Sequence, residues 1–135
     1  MTLLIDADWL IYSSCCACEQ DIQWDTNLHT LHADERDVHE MVDGRVAHYQ
    51  TIAEGDKNVV MCFTEYPTFR HTIYPEYKAN RKHKRKPLGL RKIIEGVKER
   101  YTSESYAGLE GDDVMAILAT SKKYDNPIIV SVDKD

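Results

Sequence analysis

Thr2 to Asp6, TLLID, is a short apolar run, and WLIYSSCCAC after it spaces apolar and small residues as a helix does. A strand followed by a helix is predicted. From Glu19 to about His32 the pattern dissolves into EQDIQWDTNLHTLH, where a loop or loosely built insertion is expected. Asp34 suits the cap of a helix running to about Glu54, with Val38, Met41, Val42, Val46, Tyr49 and Ile52 as its buried stripe. NVVMCF, Asn58 to Phe63, predicts a second buried strand. Pro87 opens PLGLRKIIEGVKERY as a first-turn proline, and Leu90, Ile93, Ile94 and Val97 follow along one face. SESYA, from Ser103, is a candidate short third strand. EGDDVMAILATSKK, from Glu110, predicts a helix with carboxylates in its first turn and lysines in its last, matching the macrodipole at both ends. After a turn at Asn126 and Pro127, the β-branched run from Ile128 to Val132 predicts a strand buried on both faces. Strands alternating with helices predict an α/β fold with a mainly parallel sheet flanked by helices.

At 135 residues the chain is one ordinary domain. It shows no signal peptide and no apolar run long enough to span a bilayer, so a soluble cytoplasmic protein with no membrane partner is expected. Cys15, Cys16, Cys18 and Cys62 suit a reduced compartment. The CCxC spacing has no second pair to complete a zinc site, and small core side chains are the preferred reading. The net charge of −6 hides an asymmetry: Lys78 to Lys92, KANRKHKRKPLGLRK, carries eight Lys or Arg and no acid. The rest holds nine basic residues against all 23 acidic ones. A basic element that meets an anion and an acidic remainder that holds cations follow from that polarity; the alternative is a solvated loop in a highly charged protein.

The strands place the acids. LLID finishes at Asp6, VVMCFTE at Glu65 and IIVSVD at Asp133, with Asp135 two residues on. In a parallel sheet these carboxyl ends share one edge, where open α/β sheets put their sites. Glu110, Asp112 and Asp113 open the preceding helix and can reach that edge, Glu110 and Asp113 on one face. Converging carboxylates repel one another and oppose folding unless a cation joins them. Mg²⁺ suits oxygen donors while keeping exchangeable waters, and oxygen-only donors argue against zinc. Two such ions about 3.5–4 Å apart are a known device for phosphodiester hydrolysis. The plainer alternative is that Asp6 caps a helix and that Glu110 to Asp113 form a charged first turn. Within YPEYKANRKHKRK, Tyr74 and Tyr77 flank Lys78 and Arg81. Aromatic faces there can stack on an unpaired base while the cations hold phosphate, or the tyrosines can pack under a loop.

LLIDADWLIY, CFTEYPTFR, YPEYKANRK, LEGDDVMAILA and IIVSVDKD, in this order, resemble the amino-terminal part of the phage 5′-3′ exonucleases. These belong to the flap-endonuclease and PIN-like superfamily that includes the 5′ nuclease domain of bacterial DNA polymerase I. The resemblance implies a PIN-like, Rossmann-like α/β domain and two Mg²⁺ or Mn²⁺ ions. It also implies release of nucleotides or short oligonucleotides from DNA 5′ ends or flaps, with the RNA of hybrids as a further substrate. A phage-encoded chain would work in the host cytoplasm. Asp6, Glu65, Glu110, Asp112, Asp113, Asp133 and Asp135 match the metal-facing acids, with Asp6 and Asp112 also counted among the catalytic residues. Glu65 stands where the family usually has Asp, so that its longer side chain is expected to reach a metal through water. Lys78 resembles the catalytic lysine, Arg81 its phosphate-binding companion and Tyr77 the residue that stacks on the displaced nucleotide. Asp8 has a counterpart in the phage relatives. Arg81 to Lys86, with Lys82, Lys84, Arg85 and Lys86 as nucleic-acid contacts, would be the base of a helical arch.

The resemblance is also incomplete. The family has further downstream aspartates that complete the second metal site, and a helix-three-turn-helix element that grips duplex phosphates. Neither is found here, so a truncated domain with an incomplete second site is expected. The chain is then half of a split nuclease completed by a separate chain, a fragment of a longer enzyme, or a degenerate protein that keeps the fold and binds DNA without cutting it. A small PIN-type ribonuclease is the further alternative.

Overall fold

The structure, a computed structural model, describes residues 1–54 and 58–132. Its centre is strand β1 (Thr2–Asp6), whose first four residues are buried. The first helix α1 (Ala7–Cys18) follows directly, and an antiparallel hairpin of β2 (Gln20–Asp25) and β3 (Leu28–His32) leads to helix α2 (Glu35–Ile52). Next come β4 (Asn58–Cys62), the short helix α3 (Phe69–Ile73), α4 (Leu90–Arg100), β5 (Thr102–Glu104), α5 (Gly111–Thr120) and β6 (Pro127–Val130). The main sheet has the order β5-β4-β1-β6 and every pairing in it is parallel. This is the mainly parallel, helix-flanked α/β fold expected from the alternation of elements.

Side chains alternate along β1, and the two faces fill two cores. Leu3 and Ile5 pack with α1, α2 and α4 through Leu10, Ile11, Val38, Val42, Ile93 and Val97. Leu4 joins Val60 and Cys62 against Val114, Met115 and Leu118 of α5. A strand that is apolar at every position is what this double coverage requires. Full burial of each of these aliphatic side chains contributes about 1.5–3 kcal/mol, so β1 anchors both layers.

Several expectations are corrected. Residues 20–32 form the β2–β3 hairpin rather than a loop. Its residues are exposed except half-buried Ile22, so no buried face imprints a period on the sequence. Local polar contacts brace it instead, including Trp24 Nε1–H donating to Thr30 Oγ1 at 2.8 Å. The last strand is an edge strand and not doubly buried: Ile128 and Ile129 are 36% and 50% exposed. A β-branched run alone does not reveal whether one or two strands flank it. The third strand is Thr102–Glu104, shorter and earlier than SESYA. In α2 the buried seam is Val38, Val42 and Val46, while Met41 and Tyr49 are half-buried. Ile52 is exposed, at the last residue of the helix. Pro87 precedes α4 instead of opening it, and Gly89, at φ +70°, makes the cap. Helix α5 ends at Thr120, before the lysines; Lys123 instead bonds Glu104 at 2.5 Å, on the edge strand β5. Cys15 and Cys62 are buried as expected of core side chains, but Cys16 faces solvent.

Candidate functional site

At the carboxyl edge of the sheet, Asp6 ends β1 and caps α1, its Oδ1 accepting the Trp9 N–H at 3.4 Å. Asp8, in the first turn of the helix, accepts the Thr64 N–H at 2.8 Å just beyond β4. Burial pushes the Asp8 carboxyl above its ordinary pKa; the Thr64 hydrogen bonds oppose this and the nearby Asp112 charge adds to it. Thr64 Oγ1 in turn accepts the Gly111 N–H at 2.9 Å. A Cβ on Gly111 would stand 3.3 Å from the Cys62 carbonyl and 3.4 Å from Asp8 Oδ2. The glycine of LEGDD therefore lets the start of α5 settle on the end of β4 beside Asp8. Burial first, then the charges of Glu104, Asp6 and Asp8, push the Cys62 thiol up to about 12.

The α5 acids meet cations. Arg70, from α3, forks onto Asp113 with contacts of 2.5 and 3.0 Å and lies 3.8 Å from Glu110. Lys78 Nζ stands 3.5 Å from Glu110 Oε1. Asp113 also accepts the Glu110 N–H at 3.2 Å, closing the first turn of α5. The Arg70 hydrogen bonds hold the Asp113 carboxyl below the usual carboxylate range. Lys78 occupies a left-handed backbone position, φ +53°, at the entry to a 3₁₀ turn over Ala79–His83.

The sequence-predicted residues divide accordingly. Asp6, Asp112, Glu110 and Asp113 lie on the elements that meet at this edge. Glu65 is exposed; its N–H donates to Leu109 and its Oε2 accepts from Ser105 at 3.3 Å. Among the described residues no three His, Cys, Asp or Glu side chains form a group able to hold one metal ion. Asp133, Asp135 and the Lys82 side chain lie outside the described residues. Arg81, Lys84 and Lys86 are exposed. Arg85 instead forks onto Glu19 at 3.0 and 2.7 Å, and Glu19 also accepts the Leu88 N–H at 2.8 Å. Lys92 and Arg91 pair with Glu35 and Glu95. Lys78, Arg85, Arg91 and Lys92 of the basic window are thus compensated from within the protein.

Half-buried Tyr77 sits between His71, 5.5 Å away edge to face, and Lys78, whose Nζ is 5.1 Å from the ring centroid. Sequence reasoning missed Thr64, Arg70, Tyr66 and Glu19, all of which act through partners at least 40 residues away or on separate elements. For Thr64, Tyr66 and Arg70 the one available signal was their position in CFTEYPTFR, directly after a predicted strand.

The family model described as 5′-3′ exonuclease, N-terminal resolvase-like domain, matches residues 1–135. The chain is 31% identical over 143 residues to the exodeoxyribonuclease of Enterobacteria phage T3, covering 98% of this chain and 47% of that protein. The exonuclease of Escherichia phage T7 gives the same identity and coverage. Flap endonuclease Xni of Shewanella sp. (strain W3-18-1) is 42% identical over 71 residues, 50% of this chain and 27% of that protein. No solved structure matches. The chain spans about half the length of the phage proteins it resembles.

Proposed function

We propose, because this chain belongs to the 5′-3′ exonuclease family through its N-terminal resolvase-like domain, that it supplies the catalytic edge of a divalent-metal-dependent nuclease acting at DNA 5′ ends or flaps. The observation that carries the reading is the meeting of Lys78 with Glu110, 3.5 Å apart, where α5 reaches the carboxyl edge of the sheet. A cation that faces a phosphate is there coupled to acids that face metal.

The donor set is made of carboxylate oxygens in an acidic field, which suits a hard divalent ion. Mg²⁺ or Mn²⁺ would be held by Asp6, Asp112, Asp133 and Asp135, with Glu110 and Asp113 beside them and Glu65 through water. When bound, such ions would supply an activated water and charge for the leaving oxygen. Lys78 and Arg81 hold the scissile phosphate. Tyr77 borders the displaced nucleotide, and Lys82, Lys84, Arg85 and Lys86 attract the strand, Arg85 by exchanging Glu19 for phosphate. We read the chain as the half that carries the first ligand set, with duplex grip and the remaining ligands contributed by sequence beyond it, in the same polypeptide or a separate one. No described helix is long and apolar enough to cross a membrane. The reading places the protein in the cytoplasm with its DNA.

The test is cleavage of a 5′-flap DNA in Mg²⁺, by this chain alone and with the carboxy-terminal half of a phage relative coexpressed. Cleavage that EDTA abolishes and that Asp112→Asn lowers at least a hundred-fold is expected. No Mg²⁺-dependent cleavage under either condition sinks the proposal. A second reading, a DNA-binding protein without activity, is favoured by the compensation of Glu110 and Asp113 by Arg70 and Lys78. It predicts flap binding that is indifferent to Asp112→Asn and to metal.

A further inference from the structure

Beside the carboxyl edge lies a shallow hollow of about 510 Å³ lined by Tyr66, Pro67, His71 and Pro75. None of these belongs to the acid set or to the basic residues assigned to phosphate. Tyr66, four residues past β4, is 73% exposed, a large aromatic surface to leave in water. Its walls are stiff: two prolines restrict the backbone, and His71 Nδ1 lies 2.7 Å from Oγ1 of fully buried Thr68. The Tyr66 ring stands 6.0 Å from His71 in an edge arrangement, and His71 continues to Tyr77. Charges of both signs reach the Tyr66 phenol: Asp8 and Glu110 from the acidic edge, Lys78 and Arg81 from the basic segment.

An apolar, aromatic hollow adjoining phosphate-binding cations is complementary to a nucleotide: a flat base with an anionic group at its end. Its volume falls within the range of small-molecule sites. We infer that this hollow is a nucleobase site that receives the unpaired 5′-terminal base of the DNA strand, with Tyr66 as a stacking platform additional to Tyr77. This rests on the nuclease reading above and names a contact that reading does not contain. Lined by two aromatic rings and two prolines, the site takes any base, in the order of stacking strength, purines ahead of pyrimidines.

The probe is a 5′-phosphorylated flap DNA with 2-aminopurine as its unpaired terminal nucleotide, titrated with the 135-residue chain at low salt in EDTA, so that no cleavage competes. Wild type quenches the probe on binding. Tyr66→Ala loses the quenching and binds about ten-fold more weakly, while Tyr66→Phe keeps both, since a phenyl face stacks as well. Tyr66→Leu, which keeps apolar bulk without a π-face, behaves as Tyr66→Ala. The dependence of affinity on salt is unchanged in all three, because no phosphate contact is removed. Tyr66→Ala or Tyr66→Leu quenching and binding like wild type overturns the inference and leaves the nuclease reading standing. Failure of wild type to bind the flap, both alone and with the carboxy-terminal half of a phage relative coexpressed, overturns the nuclease reading and this inference with it.

Discussion

Arg70 shows how one side chain determines what its neighbours can do. Its fork on Asp113 also fixes the carboxylate that closes the first turn of α5, so the cation, the helix start and the acid pair form one unit. A double-mutant cycle of Arg70→Ala and Asp113→Ala, followed by denaturant melts, is expected to give a coupling of about 1 kcal/mol, the scale of a partly exposed bidentate pair. Independent effects would mean the pair is incidental. Gly111 is the second such residue. An alanine there gains helix propensity, but its Cβ presses on the Cys62 carbonyl, which the β4 ladder holds in place. Gly111→Ala is therefore expected to lower stability by about 1 kcal/mol net. A rise in Tm would show that α5 shifts without cost.

Among the elements, the two ends of the structure carry opposite lessons. The β2–β3 hairpin buries no side chain completely, so replacing residues 21–31 by a short glycine-serine turn is expected to leave the cooperative melt of the main sheet within a few degrees of the parent. A collapse of near-UV circular dichroism would contradict this. The edge strand β5 is held differently, through Glu104, which accepts from Lys123 at 2.5 Å and from Tyr124 at 2.8 Å. The Lys123 hydrogen bond chiefly holds the Glu104 carboxyl below its ordinary pKa, with Tyr124 assisting against some desolvation. A depressed carboxylate stabilises the fold above its unfolded value of about 4.3, and that contribution is lost as pH falls through the lower folded value. Melting temperatures measured from pH 6 down to pH 3 are thus expected to fall less steeply for Glu104→Gln than for wild type. Equal slopes would remove Glu104 from the acid response.

For the whole molecule, the decisive feature is a net negative protein with one cationic segment. Among its described basic residues Lys78, Arg85, Arg91 and Lys92 already pair with Glu110, Glu19, Glu95 and Glu35. Phosphate binding is then partly an exchange of partners, and exposed Lys84 and Lys86 should carry the counterion-releasing contacts. Single-strand binding measured from 50 to 200 mM salt is expected to lose about 0.7 from its log–log slope for each of Lys84→Ala and Lys86→Ala. Unchanged slopes would move the strand's path elsewhere.

The alternation of apolar strands and amphipathic helices, read along the chain, was enough to determine the α/β class and the mainly parallel sheet, while the central place of TLLID emerged only from the strand order. LEGDD and YKANRK likewise carried the family. What the chain alone did not hold was which acid meets which cation. Arg70 to Asp113, Arg85 to Glu19 and Thr64 to Asp8 and Gly111 join residues 43, 66, 56 and 47 positions apart, and no local period encodes such pairs. The hairpin and the exposed edge strand were hidden for the complementary reason. Strand propensity is local, but the face a strand buries depends on neighbours that only the folded sheet supplies.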